Sequence, residues 1–272
     1  MNEELLKGRI GLGTWAMGFK PEEKQQEVNA LRAGIEAGAN VVDTAEMYAD
    51  GAAEEVTAEA IKGYRDDLYI VTKVLPSNAS YDGTIAACEQ SLKRLEIDVI
   101  DLYLLHWKGS HPIQGTVDAF DQLKARGLIK DWGVSNFDRE DMQRLFALNS
   151  GSACSANQVY YSLGERGIEY DLLPWQKDNG VATMAYCPLD QGRLVHDERI
   201  RPIADKYNVT VAQIALAWLA TWPEVVPIPK SSSIERTLQN VAARDVQLDA
   251  EDLELLDQLY PPPDRPMPLK TA

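Results

Sequence analysis

The chain has 272 residues, of which 45% are hydrophobic and 25% charged, the composition of a folded protein rather than a disordered one. Lys and Arg number 27 against 42 Asp and Glu, a net charge of −15, which argues against nucleic acid or an anionic membrane as main partner because phosphates need a basic surface. Cys88, Cys154 and Cys187 form no CxxC and no disulfide framework, and the acidic start Met1-Asn2-Glu3-Glu4 is unlike a signal peptide, so the expected location is the cytoplasm.

Short apolar runs alternate with amphipathic stretches along the whole chain. A strand at 9–13 runs into Thr14-Trp15, and a helix at 22–37 follows, stopped by Gly38. A strand at 40–43 ends in Asp43, with Thr44 next and Tyr48 shortly after, before a helix at 52–62. A strand at 68–73 ends in Lys73, then a helix at 82–95. A strand at 99–106 ends in His106, followed by Trp107 and a helix at 116–126 with a basic last turn before Gly127. A strand at 129–134 runs into Ser135-Asn136 and a helix at 138–148. A strand at 154–159 carries Asn157-Gln158, with a helix at 170–179 after it. A strand at 181–186 ends in Tyr186 and precedes a helical stretch at 201–220, inside which Thr210 and Gln213 fit a capping box. A strand at 225–228 leads into Pro229-Lys230-Ser231, a helix at 234–243 and a last helix at 250–259 capped by Asp249. Eight strand–helix units predict a (β/α)8 TIM barrel, one domain over 1–272, with a doubly wound sheet as the alternative.

In a barrel the C-terminal strand ends share one mouth. Asp43, Tyr48, Lys73 and His106 would meet there. Each alone has a plainer reading: a helix cap, a surface aromatic, a lysine reaching solvent, a core histidine. Together they make chemical sense. A free tyrosine holds its proton to a pKa of about 10, and an ammonium beside it stabilises the phenolate. Lys73 can supply that charge, Asp43 can hold Lys73, and His106 can donate to a carbonyl oxygen. The set is a proton donor for a carbonyl receiving a hydride, which a nicotinamide must bring. In the second half of the barrel, Ser135, Asn136 and Gln158 suit a carboxamide, and Tyr186 offers a flat face for a ring. Lys230, Ser231 and Ser232 follow strand eight, and Arg236 and Asn240 share a helix face; an arginine there can fork onto a 2′-phosphate.

Gly11-Leu-Gly-Thr-Trp15, Val42-Asp-Thr-Ala-Glu-Met-Tyr48, Val71-Thr-Lys-Val74, Leu104-Leu-His-Trp107, Gly133-Val-Ser-Asn-Phe137, Asn157-Gln158, Tyr186-Cys-Pro-Leu189 and Ile228-Pro-Lys-Ser231, in this order, resemble the aldo-keto reductase superfamily. The resemblance covers nearly the whole chain and is strongest to small bacterial reductases of methylglyoxal and diketo-gluconate. It implies a catalytic tetrad of Asp43, Tyr48, Lys73 and His106, with Tyr48 as acid/base. It implies NADPH held by Thr14, Trp15, Asp43, Ser135, Asn136, Gln158, Tyr186, Pro188, Leu189, Lys230, Ser231, Ser232, Arg236, Gln239 and Asn240. Substrate would meet Trp15, Tyr48, His106 and Trp107. The implied activity is NADPH-dependent reduction of small dicarbonyls, sugar-derived or aromatic aldehydes by a cytoplasmic monomer, with no metal, nucleic acid or membrane partner. A non-catalytic NADPH-binding regulatory subunit is the alternative, and a metal-dependent barrel hydrolase a third.

Some features depart from larger members or mislead. The segment before Gly11 is short, so a hairpin at the barrel bottom is expected to be reduced or missing. The tail after Tyr260 holds five prolines in twelve residues and is expected to add no helix, leaving an open site. Gly11-Leu-Gly-Thr-Trp-Ala16 fits a dinucleotide pattern, but no helix follows at once, so the glycines are expected to serve a tight loop. His106 and His111 lack a third metal ligand. Asp43 and Glu46 are weak as a glycosidase pair. Glu54 and Glu55 are expected on a solvated helix face.

Overall fold

The computed structural model describes residues 2–272. Its parallel strands are β1 (Leu12–Gly13), β2 (Val41–Asp43), β3 (Tyr69–Val74), β4 (Ile100–Leu105), β5 (Ile129–Ser135), β6 (Ala156–Tyr160), β7 (Ala182–Tyr186) and β8 (Val225–Pro227), hydrogen-bonded in sequence order. Closure comes from a parallel bridge between Gly13 and Lys230, with Gly11 N–H donating to the Pro227 carbonyl at 2.9 Å and Gly13 N–H to that of Pro229 at 3.0 Å. Gly13 is required at this seam, since a Cβ there would lie 2.7 Å from the Ile228 carbonyl oxygen. The glycines of the dinucleotide-like pattern therefore serve the contact between β1 and β8, not a tight loop.

The helices are α1 (Glu3–Leu6), α2 (Lys24–Glu36), α3 (Ala52–Ile61), α4 (Tyr81–Leu95), α5 (Ile113–Ala125), α6 (Arg139–Phe146), α7 (Leu172–Asp178), α8 (Arg201–Tyr207), α9 (Val211–Ala220), α10 (Ile234–Ala242) and α11 (Ala250–Leu259). The stretch expected as one helix over 201–220 is two. Asn208 caps α8 in the left-handed region at φ 54°, and Thr210 with Gln213 forms the capping box that starts α9. The caps override the continuous apolar pattern, as caps do when they satisfy the orphan backbone groups of both ends. Among the described residues, no helix is long and apolar enough to cross a membrane.

Strand alternation divides the side chains into two layers. Val41, Tyr69, Val71, Leu102, Leu104, Ala156, Ala182, Met184 and Val226 fill the barrel interior. Outward residues such as Val42, Ile70, Tyr103, Trp132 and Val159 pack against the helices. Among the described residues no hairpin closes the bottom; α1 lies there instead. Asn2 caps it, accepting from Leu5 N–H, and Leu5 is fully buried in the interior cluster. The tail after Tyr260 forms no helix. It folds back nonetheless: Met267 lies against Gly167, Lys270 Nζ stands 5.9 Å from the centre of the Tyr160 ring, and the Ala272 main chain reaches the Tyr186 hydroxyl. Short as it is, the tail covers one side of the mouth rather than leaving it bare.

Candidate active site

Alternation places Asp43, Lys73, His106, Gln158 and Tyr186 at the inner rim, because each is two residues beyond an interior apolar residue of its own strand, and Ser135 joins them two residues beyond Gly133, where a Cβ would meet the interior Leu104. Lys73 is fully enclosed. Its Nζ donates to Asp43 Oδ2 at 2.8 Å, to the Thr44 carbonyl at 2.8 Å and to Tyr48 Oη at 3.2 Å. An ammonium has three protons, and all three have acceptors. The other Asp43 oxygen accepts from Gln158 Nε2 at 2.7 Å. The Tyr48 and His106 rings meet edge to face at 5.7 Å. The four candidates from three strand ends thus form one contact chain.

The electrostatics assign proton states. Burial pulls Lys73 down, yet Asp43 and Tyr48 more than offset it and hold Lys73 above the ordinary lysine value, so it stays an ammonium. Burial raises Asp43, with Lys73 and Gln158 drawing it back. Burial likewise raises Tyr48 above the usual phenol value, while Lys73 pulls the other way. Tyr48 therefore keeps its proton at neutral pH and has a cation ready to stabilise the phenolate left when that proton departs. His106 is pushed down to about 2, first by burial and then by Lys73. Its ring is neutral and carries one N–H. Nδ1 is sealed in without a partner, which leaves Nε2 as the atom able to deliver a hydrogen bond to a ligand.

The loop that carries Tyr48 is strained. Ala49 and Asp50 sit in the left-handed region at φ 50° and 51°, and Gly51 follows at φ 92°. Such backbone costs on the order of 1–3 kcal/mol at each non-glycine residue and persists only where neighbours enforce it.

Across the mouth, Ser135 Oγ donates to the Gln158 carbonyl at 2.8 Å, Asn136 Nδ2 donates to Ser135 Oγ at 3.1 Å, and Tyr186 Oη donates to Asn136 Oδ1 at 2.7 Å. Three amide and hydroxyl groups thus stand beside the half-exposed Tyr186 ring, a set that suits a carboxamide and a flat heterocycle. Asn157, the residue before Gln158, points the other way. It is buried against α7, donating to the Phe137 carbonyl and to Gln176 Oε1. Thr14 spends its hydroxyl on the Asp43 carbonyl at 3.0 Å, so its contribution is to seat β1 against β2. Pro188 and Leu189 lie in the loop after β7, between left-handed Cys187 at φ 48° and Asp190 at φ 51°.

After β8, Lys230 and Arg236 come close enough for the guanidinium to help lower the lysine, burial being the larger cause. Among the described residues neither cation belongs to an ion pair, although most others do, and Glu27 and Glu23 lie near enough to Lys230 to pull the other way. Ser233 caps α10, and Ser231 Oγ is bonded to the Ser233 backbone. Ser232 lends its carbonyl to Gln26, while Gln239 reaches Glu235 at 3.4 Å. Asn240 is buried one turn beyond Arg236. Two cations thus stand together at a capped helix start within a strongly acidic protein, an arrangement chemically suited to an anion.

Trp15, Phe19, Met47 and Trp107 are exposed apolar side chains in the loops after β1, β2 and β4, and Trp107 packs on His106 with ring centres 4.8 Å apart. Phe19 and Met47 were not singled out from the sequence; an apolar side chain in a loop beside the tetrad motif is the signal that could have found them. Glu46 is occupied otherwise, accepting from Leu75 N–H and Asn78 Nδ2, so it forms no pair with Asp43. Among the described residues, no three His, Cys, Asp or Glu side chains cluster as metal ligands.

Cys187 lies near enough to Tyr48 to act on its charge. Burial pushes the thiol up to about 11, so little thiolate is present at neutral pH and the group is a poor target. Peroxide should therefore inactivate the protein and Cys187→Ser at equal rates at neutral pH. A wild type that loses activity several times faster would contradict this assignment.

The family model described as the aldo/keto reductase family matches residues 9–261. The chain is 48% identical over 259 residues to methylglyoxal reductase YeaE of Escherichia coli, covering 93% of this chain and 91% of that one. It is 33% identical over 250 residues to the glyoxal reductase of Bacillus subtilis, covering 92% and 88%. Among solved structures, an aldo/keto reductase of Klebsiella pneumoniae in complex with NADP and acetate superposes with a TM-score of 0.94 at 52% identity, covering 97% of this chain and 95% of that one. Motifs, barrel and contact chain agree with the match over nearly the full length: the chain belongs to the aldo/keto reductase family.

Proposed function

We propose that this protein is an NADPH-dependent carbonyl reductase acting on small aldehydes and ketones, with methylglyoxal and related dicarbonyls as the first substrates to try. The observation that carries the reading is the enclosed chain Asp43–Lys73–Tyr48 beside a neutral His106. The relatives named for methylglyoxal and glyoxal reduction, and the neighbour crystallised with NADP, support the substrate class and the cofactor. The same reading takes the chain as one barrel domain working as a cytoplasmic monomer, with neither nucleic acid nor membrane as partner.

When bound, NADPH supplies the hydride. Ser135, Asn136 and Gln158 would hold its carboxamide, Tyr186 would support the nicotinamide ring, and Lys230 with Arg236 would meet the 2′-phosphate. His106 Nε2–H donates to the substrate oxygen and orients the carbonyl. Tyr48 gives its proton to that oxygen as negative charge gathers there. Lys73 stabilises the phenolate that remains, and Asp43, fixed by Gln158, keeps Lys73 charged and in place. Trp15, Trp107, Phe19 and Met47 shield one side of the reacting carbonyl from water. Nothing in this set favours a non-catalytic regulatory role, which would not require a proton donor to be buried beside a cation.

The experiment is NADPH oxidation, followed by absorbance, over a panel of carbonyls with NADH as comparison. Cofactor choice has its own test in Arg236→Ala. A charge-assisted hydrogen bond contributes about 1.5–3 kcal/mol, and each 1.4 kcal/mol is about tenfold in affinity. Arg236→Ala should therefore weaken NADPH binding by about one to two orders of magnitude, leave NADH nearly unchanged and flatten the salt dependence. Equal losses for both cofactors, read by fluorescence titration, would mean that Arg236 supports the fold or the pyrophosphate instead.

A further inference from the structure

Glu54 was expected on a solvated face, yet its side chain is completely buried. It lies in the first turn of α3, immediately after the left-handed turn 49–51 that follows Tyr48. One carboxylate oxygen accepts from Thr72 Oγ1 at 2.6 Å, and the other from Arg94 Nε at 2.6 Å. Thr72 is the neighbour of Lys73 on β3; alternation turns Lys73 into the mouth and Thr72 outward, toward α3. Arg94 belongs to α4, and its side chain lies over Gly51, where a Cβ would stand 2.5 Å from Nε. A single carboxylate thus ties together the segment bearing Tyr48, the strand bearing Lys73 and the arginine that covers the turn between Tyr48 and α3.

A buried carboxylate is kept only when it is paired and hydrogen-bonded, and this one is placed where the strained turn needs enforcing. We propose that Glu54, Thr72 and Arg94 form a positioning clamp that fixes the separation of Tyr48 Oη and Lys73 Nζ, and hence the strength of the proton donor. The clamp touches neither substrate nor cofactor. It acts through Tyr48, whose charged neighbours are Lys73 and Asp43, with His106 and Cys187 beside it. The proposal rests on the carbonyl-reductase reading, in which Tyr48 is the acid.

A misplacement of about 1 Å at a reacting group can cost on the order of a hundredfold in rate. Thr72→Val removes the hydroxyl but keeps the β-branched shape, so the strand is retained while the tie to Glu54 is lost. Thr72→Ser restores the hydroxyl. In Thr72→Val the plateau kcat for methylglyoxal should fall by about ten- to a hundredfold, with the Kd for NADPH within about twofold of wild type. As Lys73 loses its hold on Tyr48, the tyrosine becomes a weaker acid, so the alkaline limb of the reduction profile should move to higher pH. Thr72→Ser should recover both rate and limb. Should Thr72→Val fail to fold, Glu54→Gln, which keeps an acceptor for Thr72 and loses the ion pair to Arg94, should show the same displaced limb. A folded Thr72→Val or Glu54→Gln with wild-type kcat and an unmoved limb overturns the clamp. So does a fall in kcat with an unmoved limb, the mark of general loosening. A wild type that turns over no carbonyl overturns the reductase reading instead, and the clamp with it.

Discussion

Tyr48→Phe should lose carbonyl reduction by about two to four orders of magnitude in kcat, the usual contribution of a positioned general acid, while NADPH binds with nearly unchanged affinity. The ring remains, and with it the edge contact to His106 at 5.7 Å. Only the hydroxyl goes. Lys73 keeps its bonds to Asp43 and the Thr44 carbonyl, so the fold should lose no more than about 1 kcal/mol, the net worth of one hydrogen bond. Parallel measurement of kcat and of cofactor Kd separates the roles. Near-wild-type kcat would remove Tyr48 from the chemistry.

Lys73→Met should be nearly as damaging to turnover and considerably worse for stability. Methionine fills the enclosed space but leaves Asp43 buried with Gln158 as its remaining side-chain partner. Breaking a buried ion pair costs about 3–5 kcal/mol. The pH dependence follows in sign. Without the cation, burial is the dominant influence on Asp43 and its folded-state pKa lies above the unfolded one. Such a group favours the fold below the unfolded carboxylate pKa, and that contribution is lost as pH rises through the folded value. The melting temperature of the variant should therefore approach that of wild type in acid and fall away from it toward neutral pH. A constant gap across that range would mean that Asp43 is compensated by something other than Lys73. In turnover, Tyr48 loses the charge that lowers its pKa, so any residual alkaline limb should lie above that of wild type.

The barrel was legible because its information is local. Each strand is a short apolar run, each helix an amphipathic one, and eight repeats leave few architectures. The meeting of Asp43, Tyr48, Lys73 and His106 was legible because strand ends in a barrel converge whatever their separation in sequence. Side-chain direction was less legible: Asn157 and Gln158 look alike in the chain, but one faces α7 and the other Asp43, and only the register of β6 decides. Glu54 was misread because its partners Thr72 and Arg94 are 18 and 40 residues away; nothing near Glu54 in sequence announces them. The break at Asn208 was legible in the capping box at Thr210, and the apolar stretch around it hid the boundary. Leu5 was overlooked for a similar reason, since a four-residue helix has no periodicity to detect and gains its stability from the barrel interior it closes.

In the proposed reaction the mouth of this barrel directs a hydride onto a carbonyl carbon and a proton from Tyr48 onto its oxygen. The most direct measurement uses NADPH deuterated at the transferring position of the nicotinamide, with methylglyoxal and the unmodified protein. Expected are one cofactor oxidised for each carbonyl reduced and deuterium on the new carbinol carbon, with Tyr48→Phe slower by about two to four orders of magnitude. NADPH that binds but is not oxidised by any member of a broad carbonyl panel, or an alcohol formed without deuterium, would contradict it.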